Sequence, residues 1–526
     1  MIWVDRLVQK IKQKNSKKEW VDDMKTPSGR IHVGALRGVV IHDLVYKVLK
    51  ENKIDANFSY VINDMDPMDA LPVYLDKEKY LPHMGKPLYK IPSPDPKYKN
   101  YAHYFAQEFI DVFNKLNCHP MIIYSSNLYK EGKMNQVIKK ILDNVEKVRE
   151  IYKKATKAPI SKNWFPYNTI CQKCGKVGTT DVYKWDGKYV YYHCLPNKVI
   201  WAKGCGHEGK VEPIEDNGKL VWKVDWPAHW KTIGITIESS GKDHMSSGGS
   251  YDIASHIAKE VLDYPPPEAF GGYEWFTIGG KKMSSSKGVG SSAKEVSEIL
   301  PPQVLRFLFV RTPITTHIDF NPNKQTLFNL FDEYDRCFSA YFDKQEEKIP
   351  QGKQKEVLTD FARIIELSKI AELPKKRLYL PRFRTIYNLM LQKKDNLVSF
   401  FEGLKKDRLT KEEKAILEER IFYTKKLMER EEEILTKNNL TQTTSFTLND
   451  NQKKFLKELK ENLEKLDIFE KEKIQQVLSQ TLKQTDVSPK EAFQGFYFVL
   501  TGKPFGPKAD DLIVDIGKKE LLNRLK

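Results

Sequence analysis

The sequence has no apolar run approaching the roughly 20 residues that a bilayer-spanning helix requires. That excludes a helical membrane protein. Its opening, MIWVDRLVQKIKQKNSKKEW, is amphipathic and lacks a signal-peptide core, so a surface helix is expected there. Cysteine is scarce, at six in 526 residues. So few in so long a chain do not make a disulfide framework, and they point to a reducing cytoplasm. No internal repeat and no long disordered tract interrupts the chain.

What is present is a long basic chain. At about 150 residues per domain, 526 residues imply three or four units. Hydrophobic residues make up 40% and aromatics 11%, enough to fill globular cores. The net charge of +17 favours a polyanionic partner such as nucleic acid, although lysine is spread along the whole chain. Residues Ile54 to Asn63 read as a strand, preceded by a helical pattern. Alternating strand and helix predicts a parallel α/β sheet, whose ligands sit beyond the carboxyl ends of its strands.

Two segments fall at such ends. One is KTPSGRIHVGALRG (Lys25 to Gly38), the other the acidic NDMDPMD (Asn63 to Asp69). In the first, turn formers and small residues open a helix. A helix start offers free N–H groups and a positive dipole end, and glycine lets a ligand approach, which together suit a phosphate. An ordinary strand–turn–helix connection is the plain alternative. Further on, KMNQVIKKILDNVEKVREIYKKATK reads as one long charged helix. Residues 158–230 are short, aromatic, glycine-rich pieces. Sheet character returns at KTIGITIESSGKDH, and beyond THIDFNPNK the chain is helical and charged.

Four cysteines lie in the glycine-rich region. CQKCG supplies Cys171 and Cys174, and HCLPNKVIWAKGCG supplies Cys194 and Cys205. Four thiolates close a tetrahedral shell with no open position, which predicts structural rather than catalytic zinc. His193 and His207 are alternative ligands. Cys118 and Cys337 read as buried apolar residues. Farther along, GGKKMSSSKG (Gly279 to Gly288) combines mobile backbone, lysines and three serine hydroxyls, a loop able to wrap a triphosphate.

PSGRIHVG resembles the first signature of class I aminoacyl-tRNA synthetases and KMSSSKG the second, in the right order and separation. GKDH (Gly241 to His244) resembles the Gly–x–Asp nucleotide motif between them, and the cysteine region falls where that class inserts its connective module. Within the class the chain is most similar to the lysyl enzymes, through TPSG, LVWKVDWPAHW, GKDHMSSGGSYD, YEWF, LPPQVLRFLFVRT and HIDF. The end of the chain resembles their helical anticodon-reading domain.

The resemblance implies a Rossmann-like parallel-sheet catalytic domain in two halves, residues 1–157 and 231–320. A zinc-binding insertion, 158–230, lies between them, and an all-α anticodon-binding domain, 321–526, follows. It implies ATP with Mg²⁺, a structural Zn²⁺, lysine, and tRNA held at acceptor stem and anticodon, with no membrane. A cytoplasmic monomer is expected. His32 and Lys282 are the implied catalytic groups. Ser28, Gly29, His32, Gly34, Gly241, Asp243, Lys282, Met283, Ser284, Ser285, Ser286 and Lys287 would meet ATP. Thr26, Asp64, Asp66, Trp226, His244 and Tyr273 would meet the amino acid, and Cys171, Cys174, Cys194 and Cys205 the zinc.

The chain departs from the family pattern at three places. The signature's second His or Asn is Ala35, and a glycine two positions before Thr26 is Met24. An acidic residue six positions after the motif histidine, which recognises the substrate ammonium, is Gly38. Asp64 and Asp66 are the first candidates to supply the missing charge, and Glu238 is another. Two rivals follow. One is a class I enzyme for glutamate or arginine, where Arg30 and Arg37 could face a glutamate side chain. The other is a non-catalytic tRNA-binding paralogue.

Overall fold

The computed structural model describes residues 1–14, 18–157, 159–279, 291–352, 354–441, 448–467, 469–502 and 508–525. The chain divides into two compact units, Met1–Lys425 and Lys426–Lys526.

In the first unit, helix α1 (Trp3–Gln13) buries Val4, Val8 and Ile11, one face at helical spacing, and exposes its lysines. Strand β1 (Glu19–Lys25) follows, then helix α2 (Ala35–Glu51), strand β2 (Ala56–Ile62) and strand β3 (Met121–Tyr124). The three strands form a parallel sheet in the order β1-β2-β3. On the other side of β1, Val21 bridges Ile237, and Ile237 bridges Glu268, both in parallel. The chain therefore winds one way from β1 through β3 and returns on the opposite side of β1. That reversal creates a topological switch point at the carboxyl end of β1, where open α/β sheets hold their ligands.

Helix α2 is apolar nearly all round and correspondingly buried from Leu36 to Val45. Its buried polar residues Arg37, His42 and Asp43 are each paired. Arg37 donates to the carbonyls of Glu274, Pro313 and Thr316 at 2.8–2.9 Å. Asp43 meets Arg306 at 2.6 Å and Lys47 at 2.9 Å. Arg306 also donates to the carbonyls of Leu116 and Leu367. Because Arg306 is fully buried, Asp43→Ala is expected to lower stability by about 3–5 kcal/mol, read by chemical denaturation.

Two expectations need correction. The long helix predicted from Lys133 onward is two helices, Asn135–Asp143 and Val145–Thr156. They break at Asn144, whose backbone leaves the helical region and whose side-chain amide donates to the Lys140 carbonyl at 2.8 Å. The sheet character read at KTIGITIESSGKDH is confined to single bridges at Ile237 and Gly241. Lys231–Ile233 instead complete a helix, Trp222–Ile233, which stops at Gly234.

The cysteine region folds as short antiparallel pieces. Strand β4 (Tyr167–Thr169) pairs with β8 (Gly218–Leu220), while β5 (Thr180–Trp185), β6 (Val190–Cys194) and β7 (Glu208–Val211) form a second sheet. Beyond Phe320 both units are helical among the described residues. Phe383 and Tyr387 are buried there. The second unit packs five helices between Asp450 and Arg524 around Phe455, Leu459, Phe496, Ile513 and Leu521. No described helix is long and apolar enough to cross a membrane.

Candidate active site

A cavity of about 500 Å³ opens at the switch point. Strand β1 brings Asp23 and Lys25 to it. The turn after β1 adds Thr26, Ser28 and His32, and Gly34 with Ala35 form the mouth of α2. Trp222 and Trp226 approach from the helix Trp222–Ile233, and Glu238–His244 and Tyr273–Thr277 close the far wall. Those last two segments are joined by the Gly241–Tyr273 bridge and by the Lys242 amide donating to the Tyr273 carbonyl at 3.0 Å.

At the edge beside the start of α2, burial and the nearby Lys25 hold the His32 imidazole down to about 3, so it is neutral in the free protein. Its backbone pairs with Ser292, and the amides of Val33 and Ala293 bond to Ser291 and Ile31. The chain leaving the second signature thus docks on the first. The expectation of free N–H groups at the start of α2 is modified. The amides of Ala35, Leu36 and Arg37 close on the carbonyls of His32, Val33 and Gly34, a tight first turn. The dipole end and the bare surface of Gly34 remain. Asp243 lies on the wall, where the Trp275 indole donates to it at 3.0 Å.

At the deeper end, Trp226 and Trp230 donate their indole N–H groups to the two oxygens of Glu238. Trp226 belongs to a buried aromatic cluster and faces the cavity as well, with His244 against its edge at 6.2 Å. On the polar side, the Thr26 hydroxyl donates to Asp66 at 2.6 Å and the Asn63 amide at 3.0 Å, while buried Lys219 takes the other Asp66 oxygen. Lys219 also meets Asp225 at 3.3 Å. It comes from β8, so a hydrogen-bonded chain runs from the cysteine region to Thr26.

The four cysteines converge. Their sulfurs lie within 4.8 Å of one another, with Cys171–Cys205 and Cys174–Cys194 both at 3.6 Å. A tetrahedral zinc site with Zn–S of about 2.3 Å has sulfur–sulfur edges near 3.8 Å, so the cluster fits that ion. Gly175 and Gly206 each follow a cysteine with positive φ (72° and 74°), making paired turns beside the thiols. His193 instead stacks on Tyr183 at 4.4 Å, and neither it nor His207 joins the cluster.

A family model described as tRNA synthetases class I (K) matches residues 1–368, and one described as anticodon binding domain matches 393–526. The lysine–tRNA ligase of Methanococcus maripaludis is 33% identical over 544 residues, covering 100% of the chain and 99% of the relative. That of Methanocaldococcus jannaschii is 33% identical over 551 residues, with the same coverage. The chain belongs to the class I lysyl-tRNA synthetases. Such full-length likeness supports lysine–tRNA ligase activity, with tRNA and an amino acid as partners. Among solved structures, a glutamate tRNA ligase from Elizabethkingia meningosepticum aligns over 97% of the chain and 98% of its own. Its identity is 12% and its TM-score 0.33, too slight to bear on specificity.

Neither arginine considered for a glutamate side chain is available to the cavity: Arg37 is committed to backbone carbonyls and Arg30 lies over the Tyr74 ring at 5.0 Å, outside it. Of the expected residues, Thr26, Ser28, His32, Gly34, Asp66, Trp226, Gly241, Asp243, His244 and Tyr273 all line it. Gly29, in the turn after β1, does not line it. Asp64 does not line it either. Its carboxylate accepts from the amide and hydroxyl of Ser126 at 2.8 and 2.6 Å, opening the next helix. Lys282, Met283, Ser284, Ser285, Ser286 and Lys287 lie outside the described residues. Sequence reading passed over Asp23 and Lys25. The available signal was two successive acids inside a strand, where acids are depleted.

Proposed function

We propose that the chain activates lysine with ATP and passes it to tRNA inside the switch-point cavity. The observation that carries this is one chamber joining a nucleotide edge (His32, Gly34, Asp243) to a deep aromatic end with buried carboxylates (Trp226, Tyr273, Glu238). The lysine carboxylate attacks the α-phosphorus of ATP and pyrophosphate leaves. The adenylate then gives its acyl group to the terminal ribose of tRNA, at the 2′-hydroxyl by likeness to the class. Catalysis is by positioning and by stabilising phosphoryl charge, with no covalent enzyme intermediate.

His32, neutral, donates an N–H to the phosphates rather than a full charge. Lys25, on the strand end beside it, supplies positive charge to the same edge. Asp243 holds the ribose, and Gly34 and Gly241 give the nucleotide room. Ser28 assists at the turn, and Lys282, Ser284, Ser286 and Lys287 take the β and γ phosphates by the resemblance alone. Mg²⁺ bound with ATP neutralises phosphate charge. Thr26, oriented by Asp66, faces the amino-acid end, and Trp226, His244 and Tyr273 wall the aliphatic stem.

Cys171, Cys174, Cys194 and Cys205 hold a structural Zn²⁺ that fixes the insertion. We assign the chain to the cytoplasm, as a monomer. Its six cysteines, all unpaired by disulfides, accord with a reducing compartment. ATP–pyrophosphate exchange across the standard amino acids tests the reading. Exchange with lysine is expected. Exchange driven by glutamate or arginine instead, or none with or without tRNA, would overturn it.

A further inference from the structure

Strand β1 carries Asp22 and Asp23 in the interior of the sheet, where successive side chains point to opposite faces. Asp22 turns away from the cavity and takes the hydroxyl of Ser59. Asp23 faces the cavity. One of its oxygens, Oδ1, accepts from the Met24 amide at 2.9 Å. Among the described residues, no N–H or O–H is donated to the other.

The histidine beside Oδ2 is already committed. His42 Nδ1 lies 4.0 Å from it but sits 2.8 Å from the Gly38 carbonyl, and His42 Nε2 accepts from the Ser239 amide at 3.1 Å. That fixes a neutral imidazole. Glu238, the other acid lining this end, has both oxygens filled by indole N–H groups. Lys25 acts on Asp23 electrostatically but makes no ion pair with it among the described residues. Asp23 therefore presents into the cavity a carboxylate oxygen that no cation of the described residues contacts directly.

Gly38 explains how it fits. A Cβ at position 38 would lie 2.6 Å from Asp23 Oδ2 and 2.8 Å from the Tyr273 hydroxyl, closer than side-chain atoms come. A side chain from α2 and the carboxylate from β1 compete for the same space. We propose that Asp23 is the specificity-determining residue of this chain, its Oδ2 pairing with the side-chain ammonium of lysine, and that Gly38 is glycine to leave that oxygen its place. Trp226 and Tyr273 flank the path and suit an aliphatic stem ending in a cation.

This inference rests on the lysine reading, and it carries a pH signature. The titratable groups around Asp23 are Lys25 on its own strand, Tyr60 on β2, His42 on α2, Glu238 and Tyr273, with Asp22 on the opposite face of the strand. Burial pushes the Asp23 carboxyl up to about 7, and burial likewise raises Glu238 to about 8. Burial holds His42 down to about 4, so it stays neutral. Below pH 7 the proton on Asp23 competes with the ammonium, so KM for lysine rises as pH falls, by up to about tenfold per unit. Above pH 8 it levels.

The test begins with lysine-dependent exchange by the native chain. If there is none, the lysine reading fails and this inference with it. If exchange is present, Asp23→Asn is expected to raise KM for lysine about a hundredfold. KM for ATP should stay within threefold, and kcat and melting temperature should change little. The inhibition constant of norleucine, which lacks the ammonium, should move less than threefold, so the preference for lysine over norleucine collapses. The rise in KM below pH 7 should flatten.

Gly38→Glu alone should abolish lysine use. Combined with Asp23→Ser it should restore KM to within tenfold of native, which also decides the matter if Asp23→Asn does not fold. An Asp23→Asn KM within threefold of native, or Gly38→Glu tolerated beside Asp23, would overturn the inference while leaving the lysine reading intact.

Discussion

Replacing His32 with alanine is expected to lower kcat for lysine-dependent pyrophosphate exchange by about a hundred- to a thousandfold, with KM for lysine nearly unchanged. The imidazole is half-buried at the mouth of α2, and its backbone is held by the Ser291–Ala293 segment, so its position is set before ATP arrives. A donor fixed in advance needs no reorganisation when negative charge builds on the phosphoryl oxygens. In the proposed site it acts on the transition state more than on the amino acid, which that proposal places beyond Thr26 at the aromatic end. The split between kcat and KM follows from that separation.

The protonation state sharpens the expectation. Burial and Lys25 hold His32 neutral in the free protein, so it does not titrate between pH 5 and 9. It should therefore add no acid limb to the pH profile of the ATP half-reaction. His32→Gln, which keeps an N–H donor, should recover part of the loss. A drop of less than tenfold in His32→Ala would show that the charge is met elsewhere.

Removing the metal is expected to have the second large effect. The insertion's strands have three to six residues each, and its buried side chains include two of the cysteines themselves. Structural zinc contributes about 10–16 kcal/mol in small zinc-binding peptides, comparable to or larger than the roughly 5–15 kcal/mol that holds a domain folded. A chelator, or Cys174→Ser, should therefore release about one equivalent of zinc and open residues 159–220 to protease. Activity should fall more than tenfold as well. Lys219, from the last strand of this region, holds Asp66, and Asp66 holds Thr26. Protein purified without metal and indifferent to chelators would contradict the zinc assignment.

Much of the site could be read from residue order because each signature combines chemistry with a structural position. PSGRIHVG is legible as the mouth of a helix, since small residues and a periodic apolar run adjoin. The cysteines are legible because two residues between thiols, with glycine after, make a metal-binding turn. Trp226 shows the limit of such reading. A buried tryptophan is ordinarily core, and here one ring is both core and cavity wall, which only packing reveals.

Asp64 and Asp23 show the limit from both sides. Asp64 stands at a strand end, the right place in sequence, yet Ser126 takes its carboxylate. Asp23 reads as strand interior, yet the alternation of the strand turns it into the cavity, opposite a glycine from another element. The relation between Asp23 and Gly38 spans a crossover from strand to helix, so no local pattern carries it. The break at Asn144 is a smaller case, in which one side chain competing for backbone ends a periodicity that the apolar residues continue.

Acid-precipitable charging of tRNA with each labelled amino acid, in the presence of ATP and Mg²⁺, measures most directly whether this chain joins lysine to tRNA. Lysine alone should be attached, and attachment should stop when the tRNA ends in 2′-deoxyadenosine. Charging with another amino acid, or tRNA bound but never charged with lysine, would contradict the lysine reading.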